Sequence, residues 1–320
     1  MRTDTSLRHS RIVGLGEHRP AGSLTNDDLA GRGLDTTDEW IRTRTGIVSR
    51  HVAAADESVV SMGIDAAAKA LAAAGLSGAD VDLVVLATCT MRNAIPGGAA
   101  RIASGINAPG VGAFDVNAAC GGFCYALSVA SDAIRTGSAT RAVVVGSEKL
   151  TDWLDWSDRG TCILFGDGAA AAIVEAADEP GIGPVAWGSD GDAYASVGVP
   201  DGDWAIRMDG PAVFRWATTQ LAPVARRACD LAGVGVGDLR AFVPHQANAR
   251  IVDALARALK LPDHVVVAHD IATTGNTSAA SVPLALSSLV NTGAVGSGDL
   301  ALLLAFGAGL TYAGQVVRVP

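Results

Sequence analysis

The chain has 320 residues, 49% hydrophobic and 18% charged, which is enough apolar material for a buried core and far from the composition of a disordered segment. A formal net charge of −9 argues against a general nucleic-acid-binding surface, and no apolar run approaches the roughly 18 residues of a membrane span. Five cysteines without paired spacing, and an N-terminus (MRTDTSLRHSRIVGLG) with no signal-type apolar core, lead us to expect a reducing cytoplasm, with neither membrane nor nucleic acid as partner.

Taken in chain order, the elements fall into two matching series. Residues 66–88, AAAKALAAAGLSGADVDLVVLAT, read as an Ala-rich helix, an Ala-Gly stop, a polar turn and an apolar strand. Residues 225–246, ARRACDLAGVGVGDLRAFVPHQ, repeat that order, with Ala74-Gly75 matching Ala232-Gly233 at an offset of 158. Next, GAFDVNAACGGFCYALSVASDAIRTG (112–137) matches VVAHDIATTGNTSAASVPLALSSLVNTG (266–293). Asp115 pairs with Asp270 and Thr136-Gly137 with Thr292-Gly293, at offsets of 155 and 156. The strands 141–147 and 300–306 follow in both copies. Four blocks in one order predict two similar halves, 1–180 and 181–320, joined through Asp178-Glu179-Pro180-Gly181. Strands alternating with helices predict mainly parallel sheets covered by helices. Strands apolar throughout, such as VDLVVLA and RAVVVG, need both faces buried. Pseudo-twofold packing would bring equivalent loops to the centre, so a site should draw on both copies.

Cys120 follows the strand GAFDV and a short NAA turn, and the helical pattern GGFCYALSVASDAI follows it. At a helix N-terminus, unpaired N–H groups and the dipole favour a thiolate, predicting a thiol pKa lowered into about 3.5–7.5; the alternative is a small core residue. Cys89, Cys124, Cys162 and Cys229 lack that context and read as core. His245, in FVPHQAN, sits at a strand tip, where α/β proteins place ligand chemistry, and reads equally as a turn residue or a catalyst. Asn276, in TTGNTSAAS, falls 156 after Cys120 and is expected at the start of the duplicate helix, where an N-cap is the simplest reading. Together the three form a Cys/His/Asn group able to hold a thioester and stabilise charge on a second carbonyl. The histidines show no metal-ligand spacing and there is no P-loop. The G-x-G-x-x-A match at Gly166–Ala171 leaves no room for a βαβ unit, so neither a metal nor a dinucleotide is expected.

Five longer motifs point to a family: TTDEWIRTRTGI (36–47), FDVNAACGGFCYAL (114–127), DRGTCILFGDGA (158–169), VPHQAN (243–248) and GNTSAAS (275–281). From about Arg11 to Val319 the chain resembles ketosynthase III, the β-ketoacyl-acyl-carrier-protein synthase III family of the thiolase fold. The resemblance implies an α/β fold of two duplicated βαβαβαββ-type halves packed as a layered αβαβα sandwich. The first half would carry the nucleophile Cys120, the second His245 and Asn276. It implies an acyltransferase in which Cys120 takes a starter from acyl-CoA. The enolate of decarboxylated malonyl-acyl carrier protein then attacks the acyl group, giving a 3-oxoacyl-carrier product that starts fatty-acid or polyketide synthesis.

The same resemblance assigns further residues. His245 and Asn276 would donate to the malonyl thioester oxygen, and the N–H groups of Cys120 and Ala308 would form the oxyanion hole, although Ala308 stands where many relatives have glycine. Thr36, Trp40, Arg44, Arg159, Gly210 and Asn248 would line the CoA path, with the adenine between Trp40 and Arg159. Pro211 replaces an amide common there. Ile95 and Phe306 would bound the acyl pocket, Ile95 from the neighbouring subunit of a homodimer. Arg215, Arg250 and Arg257 would dock the acidic carrier. No cofactor beyond the two thioester substrates is implied. A second reading passes the acyl group to an alcohol or amine; Asn276, as a second donor to a thioester oxygen, favours condensation. A degradative thiolase would need another cysteine beyond position 229, where there is none.

Overall fold

The computed structural model describes residues 8–93 and 95–320. Its first half runs β1 (His9–His18), β2 (Gly22–Thr25), α1 (Asn26–Gly31), α2 (Asp38–Thr45), β3 (Ser49–Val52), α3 (Val59–Ala74), β4 (Leu83–Ala87), α4 (Ala99–Gly105), β5 (Gly112–Val116), α5 (Gly122–Arg135), β6 (Arg141–Glu148) and β7 (Gly168–Ala177). The second runs β8 (Ala186–Ser189), β9 (Val197–Gly198), β10 (Arg207–Met208), α6 (Gly210–Ala232), β11 (Ala241–Pro244), α7 (Ala249–Leu259), β12 (Val266–Val267), α8 (Ile271–Thr274), α9 (Ser281–Asn291), β13 (Leu300–Phe306) and β14 (Thr311–Arg318). Without the insertions β2–β3 and β9–β10, each half has the expected alternation of strands and helices.

The two main sheets have five strands each, ordered β1-β7-β6-β4-β5 and β12-β11-β13-β14-β8. They are mixed, not mainly parallel. β4, β5 and β6 pair parallel, as do β11, β12 and β13, but β1, β7, β8 and β14 pair antiparallel. The reason is that each half ends on two strands with no helix between them, so the chain reverses instead of crossing over.

The alternation within β4 shows why its sequence is apolar throughout. Val84 and Leu86 meet α3 and α4 on the outer face, while Val85 and Ala87 meet α5 and α9 between the sheets. On the far side, Phe242, Leu302 and Leu304 pack under α6 and α7. The result is five layers, helix–sheet–helix–sheet–helix, with α5 and α9 buried at the centre. A separate apolar cluster joins Leu29, Ile41 and Ile47 to Leu150, Ile163, Phe165 and Ile206. It anchors the β2–β3 insertion over the centre of the molecule. Among the described residues no helix is long and apolar enough to cross a membrane.

The duplication is present, but its register at the centre differs from the expected 156. Each copy has an Asx turn and then a residue at positive φ: Asn117 accepts from Ala119 N–H at 3.1 Å, and Asn276 from Ser278 N–H at 2.9 Å. Ala119 and Ser278 have φ of +47° and +49°. Short helical turns at Ala119–Gly121 and Ser278–Ala280 then lead into α5 and α9. The offset is therefore 159, so Asn276 matches Asn117, and Cys120 matches Ala279. The four residues of α8 have no counterpart in the first half and raise the offset from 155. α9 is shorter than α5, 11 residues against 14, which returns the offset to 156 at Thr292-Gly293.

Candidate active site

Cys120 stands where β5 ends and α5 begins, on the wall of a cavity of about 920 Å³. His245 and Asn276 line the same cavity from the second half, so the structure brings the three together. The thiol departs from expectation. Burial pushes it up to about 12, and the nearby Glu148 carboxylate adds to the rise. Desolvation of the anion outweighs the helix start, so the resting group is a neutral thiol.

Two main-chain donors belong to the turns that line the cavity here. Neither Cys120 N nor Ala308 N bonds an oxygen of another described residue, whereas Gly307 N bonds Thr311 O at 2.9 Å. Gly307 is required by close approach: a Cβ there would lie 2.5 Å from Cys120 N. Ala308 needs no such allowance. The positive φ of this turn falls on Gly309, at +103°, so the alanine keeps an ordinary backbone and its N–H.

His245 directly follows β11 and is 2% exposed. Burial lowers its pKa to about 3, so the ring is neutral. Nδ1 lies 2.6 Å from Ser281 Oγ, which also accepts from Gln246 N–H at 3.3 Å. Phe306 meets the ring edge-on, centroids 5.0 Å apart. Phe306 thus packs against the imidazole and also lines the cavity. Asn276 uses Oδ1 in its Asx turn, and no acceptor among the described residues engages its Nδ2. Asn276 is thus not the N-cap expected of it: Thr277 and Ala280 hold the N-cap positions of the short turn and of α9, and Asn276 precedes both.

One group escaped the sequence reading. Glu148 is fully buried at the end of β6, with no salt bridge among the described residues. It accepts from Thr88 Oγ1 (3.0 Å), Thr90 Oγ1 (2.6 Å), Cys89 N (3.1 Å) and Sγ (3.3 Å), and Ser278 Oγ (3.0 Å). Burial raises its pKa. The signal available in sequence was a single acid closing the otherwise apolar run RAVVVGSE. At the offset of 159, Glu148 is the counterpart of Gly307.

Comparison with known proteins decides the family. Residues 114–191 match the profile of 3-oxoacyl-[acyl-carrier-protein] synthase III, and residues 229–319 match that of its C-terminal region. The chain is 52% identical over 314 residues to β-ketoacyl-[acyl-carrier-protein] synthase III 4 of Streptomyces coelicolor, covering 97% of this chain and 99% of that one. The chain belongs to the β-ketoacyl-acyl-carrier-protein synthase III family. The mycobacterial synthase III of Mycobacterium tuberculosis is 47% identical over 330 residues, covering 99% and 98% of the two chains. Among solved structures, the priming β-ketosynthase of the R1128 polyketide pathway superposes with a TM-score of 0.97 at 46% identity, covering 100% and 98%. Synthase III of Aquifex aeolicus gives 0.92 at 40%, covering 97% and 99%. The layered thiolase fold expected from the motifs is the fold observed.

In this synthase III chain the cavity mouth is lined by Trp40, Arg44, Arg159, Gly210 and Asn248. The guanidinium carbons of Arg44 and Arg159 lie 4.3 and 4.7 Å from the Trp40 ring centroid. Arg159 therefore rests directly against Trp40, and an adenine would have to displace it. Thr36 does not line the cavity; its hydroxyl is buried without a partner among the described residues. Asn248 is engaged at both ends, donating to Arg44 O at 3.0 Å and capping α7 through Arg250 N–H at 2.9 Å. It joins α2 to α7 while lining the cavity. Arg215 and Arg250 also line the mouth, with Arg250 over the Phe214 ring at 5.3 Å. Arg257 lies farther along α7 and does not line the cavity. Ile95 is 91% exposed and outside the cavity of its own chain.

Proposed function

We propose that the chain condenses an acyl-CoA starter with malonyl-acyl carrier protein, through an acyl-Cys120 intermediate, to start a fatty-acid or polyketide chain. The observation that carries this is the convergence on one cavity of a thiol and four donors without protein acceptors: Cys120 N, Ala308 N, His245 Nε2 and Asn276 Nδ2. In the first stage the Cys120 sulfur attacks the acyl carbonyl, its oxyanion held by the Cys120 and Ala308 N–H groups, and CoA leaves. In the second the malonyl C–C bond breaks, CO₂ departs, and the electron pair moves onto the thioester oxygen.

That oxygen meets His245 and Asn276. In this step Ser281 Oγ, 2.6 Å away, gives its proton to His245 Nδ1, and Nε2 carries the ring hydrogen. A neutral Nε2–H and the Asn276 amide then stabilise the enolate without a full positive charge. Each such donor is worth about 10²–10³ in rate. The enolate carbon attacks acyl-Cys120, and the thiol is released as the 3-oxoacyl product departs.

CoA follows Trp40 and Arg159, and the acidic carrier docks at Arg215, Arg250 and Arg257. No cofactor takes part. The chain works as a homodimer in the cytoplasm, with the exposed Ile95 reaching the partner's acyl pocket. The free Asn276 donor favours condensation over transfer to an alcohol or amine, which needs no second charged carbonyl. Intact-protein mass spectrometry tests the reading. Acyl-CoA should add one acyl mass to wild type and none to Cys120→Ser, and malonyl-carrier should then remove it as a 3-oxoacyl product. Release only with an alcohol or amine would overturn it.

A further inference from the structure

We propose that Ser278 and Glu148 form the proton path that activates Cys120, with Ser278 as the member beside the thiol and Glu148 acting through it. The inference rests on the acyl-Cys120 reading above and goes beyond it, because His245 and Asn276 leave the thiol without a base. Ser278 Oγ donates to Glu148 Oε1 at 3.0 Å, and Ser278 lines the same cavity wall as Cys120. The turn carrying Ser278 packs against the turn carrying Cys120. The Cys89 thiol also meets both partners, at 3.3 Å from Glu148 Oε1 and 3.5 Å from Ser278 Oγ, whereas no Lys, Arg or His among the described residues pairs with the carboxylate.

The chemistry needs such a path. A thiol with a pKa near 12 is ionised in only about one molecule in 10⁵ at pH 7. Creating a lone thiolate in this cavity would add a buried charge. Moving the proton to Glu148 adds none, since one anion replaces another. The thiol proton passes to Ser278 Oγ as the serine proton passes to Glu148. The S–H bond breaks and the Glu148 O–H bond forms. The sulfur then bonds the acyl carbon, and the C–S bond to CoA breaks with its electron pair on the CoA sulfur. Returning the proton through Ser278 to that sulfur restores the carboxylate, so thiol plus thioester gives thioester plus thiol. The resting hydrogen bonds from Thr88, Thr90 and Cys89 hold the carboxylate in place for the first transfer.

The alternative is that Glu148 only ties the loop after β4 to α9. The pH dependence of acylation separates the two. Single-turnover acylation by acyl-CoA would be followed by quenched intact mass from pH 6.5 to 9 in wild type, Glu148→Gln and Ser278→Ala, each checked by circular dichroism. We expect a nearly flat wild-type profile. Both variants should fall about 10²-fold or more at pH 7, the usual range for losing general-base help, and should rise about tenfold per pH unit as hydroxide supplies the thiolate. Should Glu148→Gln fail to fold, the Ser278→Ala slope decides alone. Profiles parallel to wild type, at any absolute rate, would overturn the proton path and leave the structural tie. Absence of acylation in wild type would instead overturn the reading of Cys120.

Discussion

Replacing Gly307 with alanine probes the oxyanion wall with one added methyl group. That carbon would lie 2.5 Å from Cys120 N, 2.9 Å from its Cβ and 3.0 Å from its Cα. Ordinary contacts of this kind are about 3.5 Å, so roughly 1 Å of separation has to be found. The opposing atoms are backbone and Cβ of the nucleophile, and none can swing aside as a long side chain would. The end of β13 must therefore retreat, taking Ala308 N–H with it. A displacement of about 1 Å costs on the order of 10² in rate, similar to deleting an oxyanion donor. We expect Gly307→Ala to slow single-turnover acylation of Cys120 about 10²-fold under saturating acyl-CoA, read by quenched intact mass. Ala308→Gly adds no atom and keeps the N–H, so its acylation should stay near wild type. A folded Gly307→Ala protein that acylates at the wild-type rate would refute the placement of the hole at this turn.

Asn276→Ala should keep most Cys120 acylation yet lose about 10²-fold or more in malonyl decarboxylation; carbon dioxide release and acyl-enzyme mass measured side by side check this, and equal losses would deny the division of labour. His245 carries a pH signature in stability. Its pKa is about 3 in the folded chain against an ordinary 6.5, so below pH 6.5 the unfolded chain binds a proton that the native state refuses, and stability falls as pH drops toward 3. Denaturant unfolding at pH 6.5 and 4.5 should cost wild type about 2 kcal/mol more than His245→Gln, and equal losses would mean that the imidazole is not desolvated. Arg250→Glu should raise the KM for malonyl-carrier and flatten its salt dependence, with a smaller effect from Arg257→Glu, which lies off the mouth; acylation by acyl-CoA should change much less.

The fold was readable because it rests on long-range regularities. Strands apolar on both faces, Ala-Gly helix stops and repeated order survive any one substitution. The centre was readable by composition but not by register. Counting back from Thr292-Gly293 carried an offset of 156 through a helix three residues shorter than its twin, and so set Asn276 against Cys120 when its counterpart is Asn117. Local insertions such as α8 leave no mark in hydrophobic pattern. The Cys120 thiol was misjudged for a different reason: a helix start is visible in sequence, whereas the depth of the cavity around it depends on contacts from both halves. Asn248 and Phe306 show the same limit. Each is where the motifs put it, but its partners, Arg44 O and the His245 ring, come from distant segments. Glu148 acquires meaning only once Ser278, 130 positions away, is seen to meet it.

The pairing of Gly307 with Glu148 has a consequence for how a duplicated protein ends with a single working centre. Opposite Cys120 the facing strand ends in a residue with no side chain, Gly307, and under the proposed mechanism that space would take a negative charge that exists only during reaction. Opposite Ala279 the facing strand ends in a carboxylate that accepts the Ala279 N–H at 3.4 Å. The second copy thus has its anion built in, as a resident occupant supplied by the protein's own chain. In the second copy that place is taken by the carboxylate, which ties the halves through Ser278 and Ala279. A cysteine placed at position 279 would face a charge instead of a vacancy, and the ancestral symmetry would not yield a second nucleophile.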